Sequence, residues 1–173
     1  MDITLYNSFP VELKENWNQL LANGISHFPF LRYEYLEDWW QTRGGGEWPL
    51  DAELAILAAT EQGELVGIAP LFFAEHQGQK RLLFLGSIEI SDFLDLIVSP
   101  NRLVDFSQAL LQYVTEQFVP RGIKTLDLYN LLDDSPSIDA LSSAAAGTGF
   151  KVTRERLQHS PFITLPGDWE RYL

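Results

Sequence analysis

Residues 52–86, AELAILAATEQGELVGIAPLFFAEHQGQKRLLFLG, contain three apolar runs separated by two short polar breaks. The breaks, Glu61-Gln62-Gly63 and His76-Gln77-Gly78-Gln79, have the residue chemistry of tight turns. So short a connection forces its flanking strands antiparallel, and the stretch is expected to be a three-stranded meander. The rest of the chain must supply the elements that cover it.

On the N-terminal side, Asp2 to Tyr6 alternates like a short strand. Ser8 ahead of Pro10 reads as a cap leading into a helix from Val11 to Leu21, with Leu13, Trp17, Leu20 and Leu21 on one face. A second helical pattern, in Leu31, Tyr35, Leu36, Trp39 and Trp40, runs into Gly44-Gly45-Gly46. On the C-terminal side, Phe93 to Val98 is apolar and stops at Ser99-Pro100. Helical spacing follows in Leu103, Phe106, Leu110, Leu111 and Val114, closed by Pro120 and Gly122. Ile123 to Tyr129 reads as a strand, Ser135-Pro136 as the cap of a helix to about Ala146, and Phe150 to Leu157 and Pro161 to Leu165 as further strands. The sum is an α/β (α+β) chain: a mixed central sheet of about seven strands flanked by four helices.

The bulk properties narrow the function. With 46% hydrophobic residues in 173, there is enough apolar material for one buried core. Twelve basic residues against 24 acidic leave a net charge of −12, which argues against nucleic acid as a partner. The acidic residues are scattered in ones and twos, as on a solvated surface. Without cysteine there is no disulfide, thiolate nucleophile or cysteine metal site. His27, His76 and His159 stand in no metal-ligand spacing, and no metal is expected. There is no GxSxG string, no P-loop, no signal-like N-terminus and no apolar stretch long enough to span a bilayer. The chain reads as cytoplasmic.

Four strings, HFPFLRYEYLEDWW, ELVGIAPLFF, RLLFLGSIEISDFLDLIVSP and SPFITLPGDWERYL, occur in an order and spacing that resemble the GNAT-like domain of CelD-like and FemAB-like (BioF2-like) acyltransferases, over nearly the whole chain. The resemblance implies a GNAT-like domain over 1–166, the N-terminal half of a larger enzyme. Residues 167–173 would begin a helix connecting it to a second GNAT-like half, in the same polypeptide or in a partner chain. Such proteins transfer acetyl or aminoacyl groups to amines, and a small-molecule or cell-envelope amine is the implied acceptor. A domain lacking its other half would expose an apolar face through which it would form a homodimer.

In that fold the donor's pyrophosphate sits on backbone N–H groups of a glycine-rich loop at a helix N-terminus. The corresponding segment here, VSPNRLVDF, has no glycine, and Pro100 removes a donor. No cofactor is therefore expected in this chain, and acetyl-CoA or another acyl donor would be held elsewhere in the full-length protein. Arg102 is the one candidate for a residual anion contact, or else a solvated arginine behind a Ser-Pro cap.

The acceptor side has more to offer. Glu89, Ser91, Asp92 and Asp95 lie where the central strand leads toward the implied cleft. Asp92 and Asp95 are candidate general bases or ammonium partners, and Glu89 and Ser91 are candidate substrate contacts. The same residues would alternatively shape a turn and accept backbone hydrogen bonds. Tyr129 is a candidate proton donor and Asn130 a candidate substrate contact, against a packing tyrosine and a turn asparagine. Trp39 and Trp40 would line a groove or fill the core beneath the second helix. The leading expectation is a domain that contributes acceptor binding and domain docking rather than the CoA site. The alternative is a non-catalytic binding or scaffold module with the same fold.

Overall fold

The structure is a computed structural model that describes residues 1–159 together with Pro161, Thr164, Gly167 and Asp168. Strand β1 (Asp2–Tyr6) leads through a 3-10 turn (Val11–Leu13) into helix α1 (Lys14–Ala22). Pro10, not Ser8, stands at the head of that turn, and no side chain caps it. One face of α1 buries Trp17, Leu20 and Leu21. The Trp17 indole N–H reaches the Leu31 carbonyl at 2.8 Å, and its ring meets Tyr33 edge-on at 5.7 Å. A buried tryptophan with a satisfied N–H is thus the hinge between α1 and helix α2 (Tyr33–Gly46).

The polar breaks in residues 52–86 do form hairpins. At each tip a glutamine and a glycine both adopt positive φ: Gln62 at 53° with Gly63 at 85°, and Gln77 at 52° with Gly78 at 71°. This is the backbone that two-residue hairpins with matching strand twist require. The strands do not make one meander, however. The middle apolar run divides at Pro70 into β4 (Glu64–Ala69) and β5 (Leu71–His76). A proline cannot donate to a ladder, and at this break the chain passes from one sheet to the other. The first sheet has the order β1-β3-β4-β7, with β3 at Ile56–Glu61 and β7 at Ile97–Val98, all antiparallel. The second has the order β2-β5-β6-β8, with β2 at Glu53–Leu54, β6 at Gln79–Phe84 and β8 at Leu126–Asp127. β6 and β8 are its parallel pair.

Helix α3 (Leu103–Tyr113) continues through a π-turn (Val114–Phe118), and a 3-10 turn with Pro120 and a left-handed Gly122 ends it. α3 packs on β1, β4 and helix α4 (Pro136–Ala145), where Gly67 gives Phe106 room: a Cβ there would lie 2.6 Å from the ring. Ser135 caps α4 as its Ser-Pro signature indicates, its hydroxyl accepting from the Ser137 N–H at 3.2 Å.

The mixed α/β class stands as read, and the described residues hold four α-helices. Among them eight short strands in two sheets replace about seven in one. The apolar run Phe93–Val98 pairs only at Ile97–Val98, and Ile123–Tyr129 only at Leu126–Asp127. Residues 150–157 form no strand: 151–157 are exposed, and Arg154 and Arg156 both pair with Asp133. The strand expected at 161–165 and the helix expected at 167–173 fall mostly outside the described residues. Among the described residues no helix is long and apolar enough to cross a membrane.

Candidate functional site: a pinned loop between two sheets

Residues 86–95 lie in the connection from β6 of one sheet to β7 of the other. Gly86 starts it at φ +102°, where a Cβ would come within 2.8 Å of both Leu94 and Ser91, so glycine is needed twice over. The loop backbone is then held from three sides. The Trp48 indole N–H donates to the Ser87 carbonyl at 2.5 Å, and the Glu47 carboxylate accepts from the Ile88 N–H at 2.8 Å. From the end of β8, the Asn130 amide donates to the Ile88 and Ser91 carbonyls at 2.9 and 2.6 Å, while its own backbone carbonyl accepts from the Leu94 N–H at 3.0 Å. Asn130 holds this position with φ at 64°, a conformation asparagine tolerates better than most residues. From α2, the Tyr35 hydroxyl meets Ser91 Oγ at 3.0 Å.

The loop's C-terminal end is anchored by Asp95, which is 1% exposed. Its Oδ2 accepts from Ser26 Oγ at 2.6 Å and Ser135 Oγ at 2.7 Å. Its Oδ1 accepts from Ser137 Oγ at 2.5 Å and from the Leu96 N–H at 2.7 Å. Four donors satisfy one buried carboxylate, which also lies at the N-terminus of α4, where the helix dipole favours negative charge. The general-base reading of Asp95 is corrected accordingly. Its oxygens are occupied and shielded, and it acts by joining the α1–α2 connection, β7 and α4.

Glu89 and Asp92 are exposed on the outer side of this fixed loop. Next to Asp92, Phe93 packs against Phe28 and Phe30 at 5.4 and 6.4 Å between ring centroids, and Phe30 against Tyr35 at 5.4 Å. All four rings are partly exposed, so a half-buried aromatic cluster adjoins an exposed carboxylate.

The remaining candidates are placed apart. The Tyr129 hydroxyl lies 3.4 Å from His76 Nε2, and His76 packs on Trp48. Burial, and after it Asp127, raises the Tyr129 phenol above its ordinary value, so it stays protonated. Trp39 is buried against Phe72 and lines no groove, which corrects its reading as a substrate contact. Trp40 is partly exposed, tilted edge-on to Phe72 and covered on its ring face by the Arg43 guanidinium. Arg102 is bound by Glu61 and lies 3.8 Å from Asp105. A guanidinium already engaged by two carboxylates at a glycine-free, proline-started helix turn does not suit an anionic pyrophosphate. The residues at the start of α3 do not fit CoA. Among the described residues no group of three acidic or histidine side chains is arranged to hold a metal.

Nothing in the sequence singles out Glu47, Trp48, Ser26 or Ser137, and Ser135 is marked only as a helix cap. Their contacts span 39 to 69 residues, and no local pattern marks a serine that will meet a buried aspartate.

No protein-family model matches the chain, and no curated protein sequence matches it. Solved structures do. The ribosomal-protein-alanine N-acetyltransferase from Brucella melitensis biovar Abortus 2308 superposes with a TM-score of 0.53 at 18% identity, over 92% of this chain and 100% of that one. The aminoglycoside 6'-N-acetyltransferase AAC(6')-IG from Acinetobacter haemolyticus gives 0.50 at 13% identity, over 95% and 100%. TTHA1254 from Thermus thermophilus gives 0.53 at 16% identity, over 95% and 100%. At these identities the likeness is one of fold. This chain has the fold of the GNAT N-acetyltransferases.

Proposed function

We propose that this chain is the acceptor-side domain of an N-acyltransferase, the N-terminal GNAT-like half of a protein of the CelD-like or FemAB-like kind. The observation that carries the reading is the pinned loop: a glycine turn, a buried aspartate and an asparagine clamp fix the backbone from which Glu89 and Asp92 reach solvent. Rigid support of a few polar groups is how binding sites are built, because the ordering cost is met in folding rather than on binding. An exposed carboxylate, Asp92, next to an aromatic cluster, with Glu89 on the same loop, suits an amine with some apolar surface: the ammonium pairs with the carboxylate and its carbon stem lies on the rings.

Within this reading Asp92 is the group placed to take a proton from the acceptor, and Asp95 is a positioning residue. Ser91 and Asn130 act through the loop rather than on the ligand. Tyr129, kept protonated beside His76, lies apart from Asp92 and is the candidate proton donor. The donor belongs to a second GNAT-like half, since the start of α3 does not fit CoA. The named acceptors of the two solved N-acetyltransferases, an alanine of a ribosomal protein and an aminoglycoside, are amines, which agrees with an amine acceptor here. A non-catalytic binding module would use the same loop and differ only in lacking turnover in the full-length protein.

Titration of 1,3-diaminopropane into the chain, followed by backbone amide NMR, tests this directly. Shifts concentrated on residues 86–95, with affinity weakened about two- to fivefold by each of Glu89→Gln and Asp92→Asn, are expected of exposed ion pairs. Shifts scattered over the acidic surface and indifferent to both variants would overturn it.

A further inference from the structure

The turn that ends α2 holds an uncompensated charge. Arg43 to Gly46 are four consecutive residues at positive φ, from 52° to 94°. Within them the Arg43 guanidinium lies 3.6 Å from the centroid of the Trp40 ring and donates to the Trp40 carbonyl. Three arginines among the described residues are partly buried: Arg43, Arg81 and Arg102. Arg81 pairs with Asp127 and Arg102 with Glu61, whereas Arg43 has no carboxylate within ion-pair distance among the described residues. In a chain of net charge −12, a half-buried cation without a counter-ion runs against the general balance. Burial alone lowers the Arg43 pKa, with no acidic neighbour working against it.

Two N–H donors in this segment also lack acceptors: among the described residues Arg43 Nε and Trp39 Nε1 are buried atoms with no hydrogen-bond partner, four residues apart in sequence. Trp39 is 4% exposed, and its Nε1 lies 3.0 Å from where a Cβ on Gly44 would stand, so the indole N–H lies against the glycine turn that Arg43 begins. The turn itself is open: a Cβ on Gly46 would meet nothing within 4 Å, and one on Gly45 only Ile90 at 3.6 Å. Buried donors without acceptors are rare in folded proteins and call for a partner.

We propose that Arg43, the Trp39 indole N–H and the glycine turn form a seat for an oxyanion, a carboxylate or a phosphate group, of a bound small molecule. The guanidinium supplies a planar fork of donors held flat by Trp40, which matches either group. The seat adjoins the loop that carries Glu89, because Gly45 abuts Ile90 and Glu47 holds the Ile88 N–H. Resting on the acceptor reading above, the acceptor is therefore zwitterionic: its ammonium faces Glu89 and Asp92 and its anionic end lies on Arg43. This sets it apart from a simple polyamine.

The test is NMR of the 15N-labelled chain, following the Trp39 Nε1–H and Arg43 Nε–H signals as inorganic phosphate or acetate is added. Both signals are expected to move saturably with at least one anion, and the tighter of the two identifies the group. Arg43→Gln is expected to weaken that binding about tenfold or more and Arg43→Lys to weaken it less, because lysine keeps the charge without the fork. Signals that stay still with both anions, or that move equally in Arg43→Gln, overturn the seat. O-Phosphoethanolamine is expected to bind about tenfold tighter than ethanolamine in the natural chain and to lose that advantage in Arg43→Gln. Equal binding of the two overturns the zwitterionic acceptor. Indifference of both amines to Glu89→Gln and Asp92→Asn overturns the acceptor reading itself, and the response of Trp39 to phosphate is read independently of it.

Discussion

Ser137 Oγ donates to Asp95 Oδ1 at 2.5 Å, across 42 residues of sequence, and with Ser26 and Ser135 it closes a shell of hydroxyls around one buried carboxylate. The shell ties together three segments: the connection between the first two helices, the end of the loop 86–95 and the start of α4. The position of Glu89 and Asp92 depends on it, because the loop ends where Asp95 is anchored.

Removing the Asp95 carboxylate strands three serine hydroxyls and a backbone N–H in the interior. Asp95→Ala is expected to cost about 3–5 kcal/mol, as for other buried networks that lose one partner. Asp92→Asn, on the exposed side of the loop, is expected to change stability by about 0.5 kcal/mol or less. Urea midpoints of the two variants against the natural chain give both numbers. Equal stability of all three would show that the anchor is not where the structure puts it.

Gly86 admits no side chain. Its φ of +102° and the 2.8 Å approach of Leu94 and Ser91 to any Cβ mean that Gly86→Ala combines backbone strain with a clash. A loss of about 2–4 kcal/mol is expected, together with broadened amide signals over 86–95. A variant of natural stability and an unchanged loop spectrum would contradict the fixed-loop description.

Much of the fold is legible in the residues. The hairpin tips at Gln62-Gly63 and Gln77-Gly78, the Ser135-Pro136 cap, the closing Gly122 and the apolar face of α1 are local signals and stand where the sequence places them. The features that differ depend on distant packing. Pro70 reads as an interruption in one apolar run, and nothing in its neighbourhood says that the chain changes sheets there. Phe93 and Leu94 have strand-like side chains but find Asn130 and an aromatic cluster instead of a ladder. Asp92 and Asp95 are indistinguishable in sequence, and only the arrival of Ser26, Ser135 and Ser137 makes one a buried anchor and leaves the other free to meet a ligand.

Tyr33 gives the fold a pH dependence in the alkaline range. The residue is 1% exposed, and burial, followed by the neighbouring Glu37, pushes its phenol up to about 12 from 10.0. A phenol whose pKa is raised in the folded state adds stability that is fully present below pH 10. That stability is lost as pH rises toward 12, by about 2–3 kcal/mol in total. The natural chain should therefore lose stability more steeply than Tyr33→Phe between pH 10 and 12. Parallel curves for the two would contradict this.

The proposed function separates the acceptor, held by this chain, from the donor. Calorimetric titration of acetyl-CoA and of 1,3-diaminopropane into this chain, side by side, tests it most directly. Saturable heat is expected from the diamine, reduced by Asp92→Asn, and none from acetyl-CoA. Saturable one-to-one binding of acetyl-CoA would contradict it.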